Sequence, residues 1–317
     1  MPTRDPVAAP APDSLAAQIT TRWHALPANT RGAFWVLVAA AGFSMMAVFV
    51  KLLGRDLPPA QIAFFRCWVG LALLTPLLLR AGPGVLRSRV WPLHIGRAFA
   101  GITAIGCGFY AFTHLPLATA TAFTFTKPLF MIVLAVVFLG EIVRWRRWTA
   151  TIVGFLGVLV MVRPGAGTLD PAVFVSMGQA LAIAIAVVLV KKVPKDEPNL
   201  TVMAYFAILS TAVMAIPAFV YWQPMTAEHW LMGLAVGLFG VTSQWAIITG
   251  YRTGEATAVA PFDYTRLLFA GGFGLIVFAE VPDVWTILGA GIIVASTIYI
   301  ARREARLGGS GKSGPTD

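Results

Sequence analysis

Apolar stretches of about 20 residues recur along the whole chain and are separated by short polar or turn-like links. A stretch of this length crosses a hydrocarbon core of about 30 Å as an α-helix. None of the stretches alternates apolar and polar residues with the period of two that a membrane β-strand requires. The pattern therefore predicts an all-α polytopic membrane protein with ten transmembrane helices, at residues 33–53, 59–80, 95–114, 117–140, 147–163, 172–191, 200–221, 230–250, 256–279 and 284–301.

Composition supports this prediction. Of the 317 residues, 58% are hydrophobic and 12% are charged, and the mean hydropathy is +0.77. A soluble domain carries about 25% charged residues and could not hide this much apolar surface. The first 30 residues lack the basic start and apolar core of a secretory signal, so residues 1–31 are predicted to be a disordered cytoplasmic tail. Residues 305–317 are predicted to be a second, flexible cytoplasmic tail.

The distribution of basic residues predicts the orientation. With the N-terminus in the cytoplasm, 18 of the 24 Lys and Arg residues fall on the cytoplasmic side, 3 on the far side and 3 within spans. Such a bias is the positive-inside pattern of inner-membrane proteins. The bias supports ten spans with both termini in the cytoplasm. The net charge of +10 is therefore explained by the orientation of the chain in the membrane. We therefore expect the lipid bilayer, and no nucleic acid, among the partners.

The chain contains an internal repeat. Residues 118–141, "ATATAFTFTKPLFMIVLAVVFLGE", align with residues 257–280, "TAVAPFDYTRLLFAGGFGLIVFAE", at a constant offset of 139. The matched pairs include Thr126 with Thr265, Lys127 with Arg266, Leu129 with Leu268, Phe130 with Phe269, and Glu141 with Glu280. Five spans in each half make the second half enter the membrane from the opposite side. The predicted architecture is two inverted five-helix repeats, which is typical of secondary transporters with a site near the bilayer midplane.

Three motifs carry a resemblance to a known family. They are "PPAQIAFFR" (58–66), "LPLATATAFTFTKPLFMIVLAVVFLGE" (115–141) and "WTATIVGFLGVLVMVRPG" (148–165), each with a weaker copy in the second half. The chain resembles ten-helix, EamA-type members of the drug/metabolite transporter superfamily. The resemblance implies EamA repeats at 32–165 and 166–304, and alternating access of a small metabolite. It does not identify the metabolite.

Two cations lie at the centres of predicted spans. A cation at a helix centre costs roughly 2.5–3.5 kcal/mol on insertion scales, so Lys127 and Arg266 must face protein or a water-filled cavity. Asp263 is three residues before Arg266, on the same helical face, and can neutralise one charge. No second mid-span carboxylate is available for Lys127. The centre is therefore predicted to be positive and to bind an anionic or zwitterionic substrate.

Neighbouring residues extend this candidate site. Pro128 and Pro261 interrupt the two cation-bearing helices and free backbone carbonyls at midplane depth, which is tolerated where a helix lines a cavity. Thr124 and Tyr264 lie close to the cations in sequence, and Arg66 occupies the "FFR" position of the second span. For Arg66 a structural or gating role competes with ligand contact. Glu141 and Glu280, at span ends, are predicted to form structural hydrogen bonds rather than to couple protons.

Other functions were weighed against transport of an anionic metabolite. Lys127 and Arg266 can instead be structural in a polyspecific drug or metabolite exporter. An intramembrane enzyme is disfavoured, because the four histidines are scattered without an HExxH pattern and Asp263 is the one mid-span aspartate. A channel is disfavoured because no filter-like segment is present. No cofactor or metal is expected, Cys67 and Cys107 are predicted to be packing residues, and the oligomeric state is left open.

Overall fold

The computed structural model describes residues 23, 25–139, 145–162, 170–194, 197–254 and 260–309. Within these ranges the secondary structure is helical. The α-helices are α1 Ala28–Leu53, α2 Pro59–Ala81, α3 Trp91–His114, α4a Leu117–Thr124, α4b Lys127–Leu139, α5 Trp145–Val162, α6 Pro171–Lys192, α7 Asn199–Val220, α8 Ala227–Thr253, α9 Thr265–Phe278 and α10 Val284–Gly309. Short 3₁₀ helices cover Pro83–Leu86 and Ala260–Tyr264.

These helices confirm the predicted all-α polytopic fold. In the described residues, seven helical spans are long and apolar enough to cross a membrane, judged by length and composition. Two shorter apolar segments, Ile152–Met161 and Val284–Ser296, lie within α5 and α10. The remaining span is α9 with the 3₁₀ helix that precedes it. In the predicted topology of ten spans, α1 begins and α10 ends on the same side of the membrane, which we call the near side.

Prolines start several of these helices. Pro58, Pro116 and Pro198 each occupy the N-cap of the following helix with ψ between 135° and 141°. A proline at a helix start costs nothing, because the N–H that it lacks has no partner inside the helix. Only Leu115 and Pro116 separate α3 from α4a, which gives the close hairpin that the sequence predicts.

Helix packing follows the two repeats. Each helix of one repeat corresponds to the helix five positions away in the other repeat, so α1 corresponds to α6 and α8 to α3. Helix α1 packs against α8, and the corresponding pair, α6 and α3, also packs together. Likewise α2 contacts α8 and α3 contacts α7, whereas the pairs α2–α7 and α5–α10 map onto themselves. This exchange of partners is what two inverted five-helix repeats require.

The buried core lies where the two repeats meet. Phe65, Phe112, Phe123 and Leu117 are among the largest fully buried side chains. Large apolar side chains on the outside, such as Leu79 and Ile276, are more than three-quarters exposed, as lipid-facing positions are. Helices α5 and α10 approach closely at Gly157, where a Cβ would lie 3.0 Å from the carbonyl oxygen of Gly289.

Some predictions concern residues outside the described part of the chain. They include the N-terminal tail up to residue 22, the last eight residues, and Glu141. The side chains of Pro128 and Pro261 also lie outside it, although both positions belong to described helices.

Candidate functional site

The first cation-bearing span is broken immediately before Lys127. Helix α4a ends at Thr124, and the N–H groups of Phe125 and Thr126 bond to carbonyls three residues back, at 3.0 Å each. The Thr126 Oγ1 donates to the carbonyl of Phe123 at 2.7 Å. Two consecutive bonds of this type tighten the backbone into a 3₁₀-like turn, after which α4b begins at Lys127.

The second cation-bearing span changes from a 3₁₀ helix to an α-helix at the matching place, and we call this junction the second break. The 3₁₀ helix Ala260–Tyr264 leads into α9, which begins at Thr265, one residue before Arg266. The Thr265 Oγ1 donates to the carbonyl of Phe262 at 2.6 Å. This bond is the counterpart of Thr126 to Phe123, because both the donors and the acceptors are 139 residues apart. The repeat therefore extends to individual hydrogen bonds at the breaks.

An aromatic contact joins the two breaks. The rings of Phe125 and Tyr264, which lie next to Thr126 and Thr265, have centroids 5.0 Å apart and are tilted by 47°. Helices α4a and α9 also pack against each other. Two interruptions that are far apart in sequence therefore form one region inside the protein, as a site between inverted repeats requires.

Arg266 is held on several sides by protein groups. Its guanidinium carbon lies 4.9 Å from the ring centroid of Phe43 on α1, a distance typical of a cation–π contact. The Ser44 Oγ, also on α1, donates to the backbone carbonyl of Arg266 at 3.2 Å. The Arg266 side chain is half-buried. Helix α1 therefore fixes both the backbone and the side chain at this position.

Two further charges act on Arg266. In the described part of the chain they are the carboxylate of Asp263 and the guanidinium of Arg66. Arg66 is half-buried and lies over Gly240 of α8, where a Cβ would be 3.3 Å from its Nε and 3.3 Å from the Sδ of Met46. Two arginines against one aspartate leave a net positive charge inside the membrane-spanning region. Such a charge is costly unless an anionic group or water compensates it.

Lys127 stands apart from this cluster. It is the first residue of α4b and is half-buried, and no described residue forms a hydrogen bond or ion pair with it. Nor is Lys127 among the charges that act on Arg266. Thr124, one turn earlier, is buried, and its hydroxyl bonds to the carbonyl of Ala120 at 3.3 Å. The structure thus brings together Arg66, Asp263, Tyr264 and Arg266, with Lys127 at the other break.

Sequence reasoning missed some residues of this region. Phe43 gave no signal, because an aromatic residue in an apolar span is ordinary core material. Tyr251, near the end of α8, interacts electrostatically with Asp263 and Tyr264, and its separation from them along the chain hid this contact. Arg66 lies on a different span from Arg266, and nothing in the sequence indicates that its charge acts on Arg266.

Glu280 connects the ends of three spans on the far side. Its carboxylate pairs with the Lys51 ammonium at the end of α1 and accepts the Leu117 N–H at the start of α4a, at 3.0 Å. The Lys51 Nζ also donates to the Leu115 carbonyl at 2.7 Å. A carboxylate at a helix N-terminus compensates unpaired N–H groups and the positive end of the helix dipole. Glu280 therefore forms the structural hydrogen bonds that its position predicted.

Comparison with known proteins gives consistent matches. The sequence profile of the EamA-like transporter family matches residues 30–163 and 170–302. The chain is 31% identical over 283 residues to an S-adenosylmethionine uptake transporter from Rickettsia bellii, covering 89% of this chain and 97% of that protein. It is 31% identical to a pseudopaline exporter from Pseudomonas aeruginosa, covering 86% of this chain and 96% of that protein. It is 28% identical to a riboflavin transporter from Vibrio cholerae, covering 87% of this chain and 94% of that protein.

A solved crystal structure also superposes on this chain. The TM-score is 0.59 at 18% sequence identity, and the match covers 86% of this chain and 98% of that chain. At this identity the match supports the fold alone.

Proposed function

Because the chain belongs to the EamA-like transporter family, we propose that it carries a small anionic or zwitterionic metabolite by alternating access, at a site between its two broken helices. The chain is a small-metabolite transporter of the drug/metabolite superfamily and not an enzyme, as the family and the relatives indicate. The family resemblance that the sequence motifs carried is thereby confirmed.

The net positive charge between the broken helices carries the proposal. The described charges that act on Arg266 are one carboxylate, Asp263, and one further cation, Arg66, so a substrate carboxylate or phosphate would complete the charge balance. Arginine presents a planar fork of donors that matches such groups. The substrate meets Arg266 beside the Phe43 and Tyr264 rings, which suit a planar or cationic portion of the same molecule.

Lys127 supplies the contact from the first break. A half-buried ammonium without a described partner is unfavourable in the empty protein, and an anionic substrate would remove that cost. Thr124, one turn before Lys127, contributes to the wall of the same site. The proposed ligand-binding residues are therefore Lys127, Arg266, Asp263, Tyr264, Thr124 and Arg66.

The substrate named for one relative offers the groups that this site would bind. S-adenosylmethionine carries an α-amino carboxylate, a sulfonium cation and a purine ring, so one molecule offers an anion, a cation and an aromatic face. The positive-inside bias supports a protein of the inner membrane with both termini in the cytoplasm. The domain limits that go with this proposal are repeats at 32–165 and 166–304.

Ligand-induced thermal stabilisation tests the proposal. Purified protein is heated with a panel that includes S-adenosylmethionine, riboflavin, amino acids and dicarboxylates, and a ligand raises the apparent stability as RT ln(1 + [L]/Kd). We expect zwitterionic or anionic compounds to stabilise the parent protein but not Arg266→Met. Arg80→Met, which removes an exposed arginine from the end of α2, is the matched control and should respond like the parent.

A second candidate is a polyspecific exporter in which Lys127 and Arg266 are structural. The contacts of Arg266 with Phe43 and Ser44 favour it, because they engage the guanidinium and the backbone carbonyl of Arg266 with protein groups. In that case Arg266→Met lowers the unfolding temperature but leaves the ligand-induced shift intact. Stabilisation of the parent and both variants by uncharged compounds alone would contradict the anionic-substrate proposal.

A further inference from the structure

Two histidine–carboxylate contacts link the repeats on opposite sides of the membrane. On the near side, the Nε2 of His94 on α3 lies 3.2 Å from the Oε1 of Glu197 in the link before α7. On the far side, the Nε2 of His229 on α8 lies 3.3 Å from the Oδ2 of Asp56 in the link before α2. We call them the near-side bridge and the far-side bridge.

The inverted repeat relates the two bridges to each other. In the two repeats, α3 corresponds to α8, and α7 corresponds to α2. Each bridge therefore joins corresponding elements, with the histidine and the carboxylate coming from opposite repeats in the two cases. His94 is the fourth residue of α3 and His229 the third of α8. Asp56 and Glu197 lie within two residues of the N-cap prolines of α2 and α7.

The packing beneath each bridge repeats as well. Phe65 on α2 lies against Gly233 of α8, where a Cβ would be 3.3 Å from the ring. Phe206 on α7 lies against Gly101 of α3, where a Cβ would be 2.6 Å from the ring. Phe65 follows Asp56 by nine residues, and Phe206 follows Glu197 by the same nine. Each bridge therefore closes the end of an aromatic-on-glycine contact between the repeats.

Neighbouring polar contacts strengthen each end. On the near side, the Tyr205 ring stacks on His94 with centroids 4.9 Å apart, and Arg97 Nη1 donates to the Val202 carbonyl at 3.2 Å. On the far side, Gln61 and the backbone of Gln223 exchange two hydrogen bonds of 3.0 and 3.1 Å. These contacts also run between α3 and the α7 region, and between α2 and the link before α8.

The hydrogen-bond partners fix the role of the far-side histidine. The Nδ1 of His229 accepts from the Thr226 N–H at 3.4 Å as part of a capping box, so its Nε2 carries the proton and donates to Asp56. The near-side histidine is more constrained. The His94 side chain is 0% exposed, and its Nδ1 has no partner among the described residues, so its Nε2 makes the available contacts with Glu197 and Ser88.

We infer that the near-side and far-side bridges are the two gates of the transport cycle, both closed in this conformation. The inference rests on the alternating access of the proposed function. Opening toward the near side separates α3 from the link before α7 and breaks the near-side bridge. Opening toward the far side separates α8 from the link before α2 and breaks the far-side bridge. The inverted repeat makes the two movements equivalent.

Burial makes the two gates unequal. The carboxylate of Glu197 is 15% exposed, whereas that of Asp56 is 62% exposed. A hydrogen bond at an exposed site contributes little, whereas a buried polar group that loses its hydrogen-bond partner is costly. Weakening the near-side bridge should therefore alter the conformational balance more than weakening the far-side bridge.

Thiol labelling from each side of the membrane tests the gates without a known substrate. A reporter, Ser44→Cys, is placed beside the break at Arg266 in a background of Cys67→Ala and Cys107→Ala. Sealed vesicles of both orientations are treated with a membrane-impermeant maleimide. We expect Glu197→Gln to raise the rate of labelling from the near side by about fivefold, and Asp56→Asn to raise it from the far side by about twofold.

The exchange of the two carboxylates provides the matched control. Asp56→Glu combined with Glu197→Asp keeps both bridges and should leave both labelling rates unchanged. Rates that are unchanged in the two amide variants, or raised from the same side in both, overturn the gate assignment. A reporter that is unreactive from both sides in the parent and in both amide variants contradicts the central cavity of the proposed function, and the gate assignment then fails as well.

Discussion

The two broken helices have similar backbone conformations at their breaks, but the side chains there have different surroundings. At both, a threonine hydroxyl bonds to the carbonyl three residues back, and a cation follows directly. Arg266 at the second break contacts Phe43 and is acted on by Asp263 and Arg66. Lys127 at the first break has no described hydrogen-bond or ion-pair partner. The two repeats therefore have the same hydrogen bond from threonine to the backbone at the break but different side-chain contacts around it.

This difference suits a ligand that lacks two-fold symmetry. A metabolite with one anionic group and one ring needs a site whose two halves differ. In one half the cation already has protein partners, and in the other half the cation is available to the ligand. Identical surroundings at both breaks would offer the same contact twice. Substitutions of the two cations should have the largest effects, and substitutions in the contacts around the breaks should have smaller effects.

Arg266→Met should have the largest effect. The loss of charge-assisted hydrogen bonds, each about 1.5–3 kcal/mol, weakens an anionic ligand by roughly tenfold to more than a hundredfold. The variant also loses the Phe43 contact and the cation on which the Asp263 carboxylate acts. Its unfolding temperature without ligand should fall, as a thermal melt in detergent measures. An unchanged melting temperature together with an unchanged ligand affinity would remove Arg266 from both roles.

Lys127→Met should separate ligand binding from stability. Removal of a half-buried cation without a described partner relieves an unfavourable burial, so the melting temperature without ligand should stay the same or rise. The affinity for an anionic ligand should fall about tenfold, the equivalent of roughly 1.4 kcal/mol. A melting temperature that falls as far as in Arg266→Met would show that the two breaks are equivalent after all.

Glu280→Gln tests how the broken helices are anchored on the far side. The amide keeps the size of the side chain but loses the ion pair with Lys51 and weakens the contact with the Leu117 N–H. Because the group is mostly buried and links three spans, we expect a loss of about 1–3 kcal/mol in unfolding free energy. Val281→Ala, an exposed neighbour, is the control and should change it little. An equal loss in the two variants would exclude a specific role for the carboxylate.

A double-mutant cycle on Phe125 and Tyr264 measures the contact between the breaks. The Phe125→Leu and Tyr264→Leu variants and their combination should give a coupling free energy of about 0.5–1.5 kcal/mol, the range for aromatic pairs. Unfolding in mixed detergent provides the free energies. Strictly additive changes would mean that the 5.0 Å contact does not connect the two helices energetically.

The smallest effects are expected at the two threonines. Thr126→Val and Thr265→Val each remove one hydrogen bond to the carbonyl three residues back and keep the side-chain shape. Hydrogen bonds within membranes average about 0.6 kcal/mol, and the two variants should lose similar amounts of unfolding free energy. A clear inequality would show that one break depends on its hydroxyl and the other does not.

The sequence predicted the fold because its signals are local or periodic. Apolar runs of membrane-spanning length identify helices directly, and the offset of 139 residues identifies the repeat. The cations at Lys127 and Arg266 were visible because a charge inside an apolar run is conspicuous. The prediction that Glu280 forms structural hydrogen bonds succeeded for a similar reason, since a carboxylate at the end of an apolar span needs partners.

The same reasoning could not find which helices meet. The four histidines looked scattered, yet the structure places His94 beside Glu197 and His229 beside Asp56, more than 100 residues away in each case. The effect of the Arg66 charge on Arg266 joins α2 to α9, which lie far apart in sequence. Phe43 became part of the candidate site because of the face of α1 that meets α9.

The sequence by itself determined that this protein lies in a membrane and that its ten spans form an inverted repeat. It also determined which two residues carry a charge at the centre of a span. Each of these follows from hydropathy, which depends on single positions and their spacing. Only the tertiary structure decided that Arg266 is engaged while Lys127 has no described partner, and that two carboxylates face two histidines across the repeats. Such contacts depend on the rotation and crossing of packed helices, and side-chain packing between distant segments sets both.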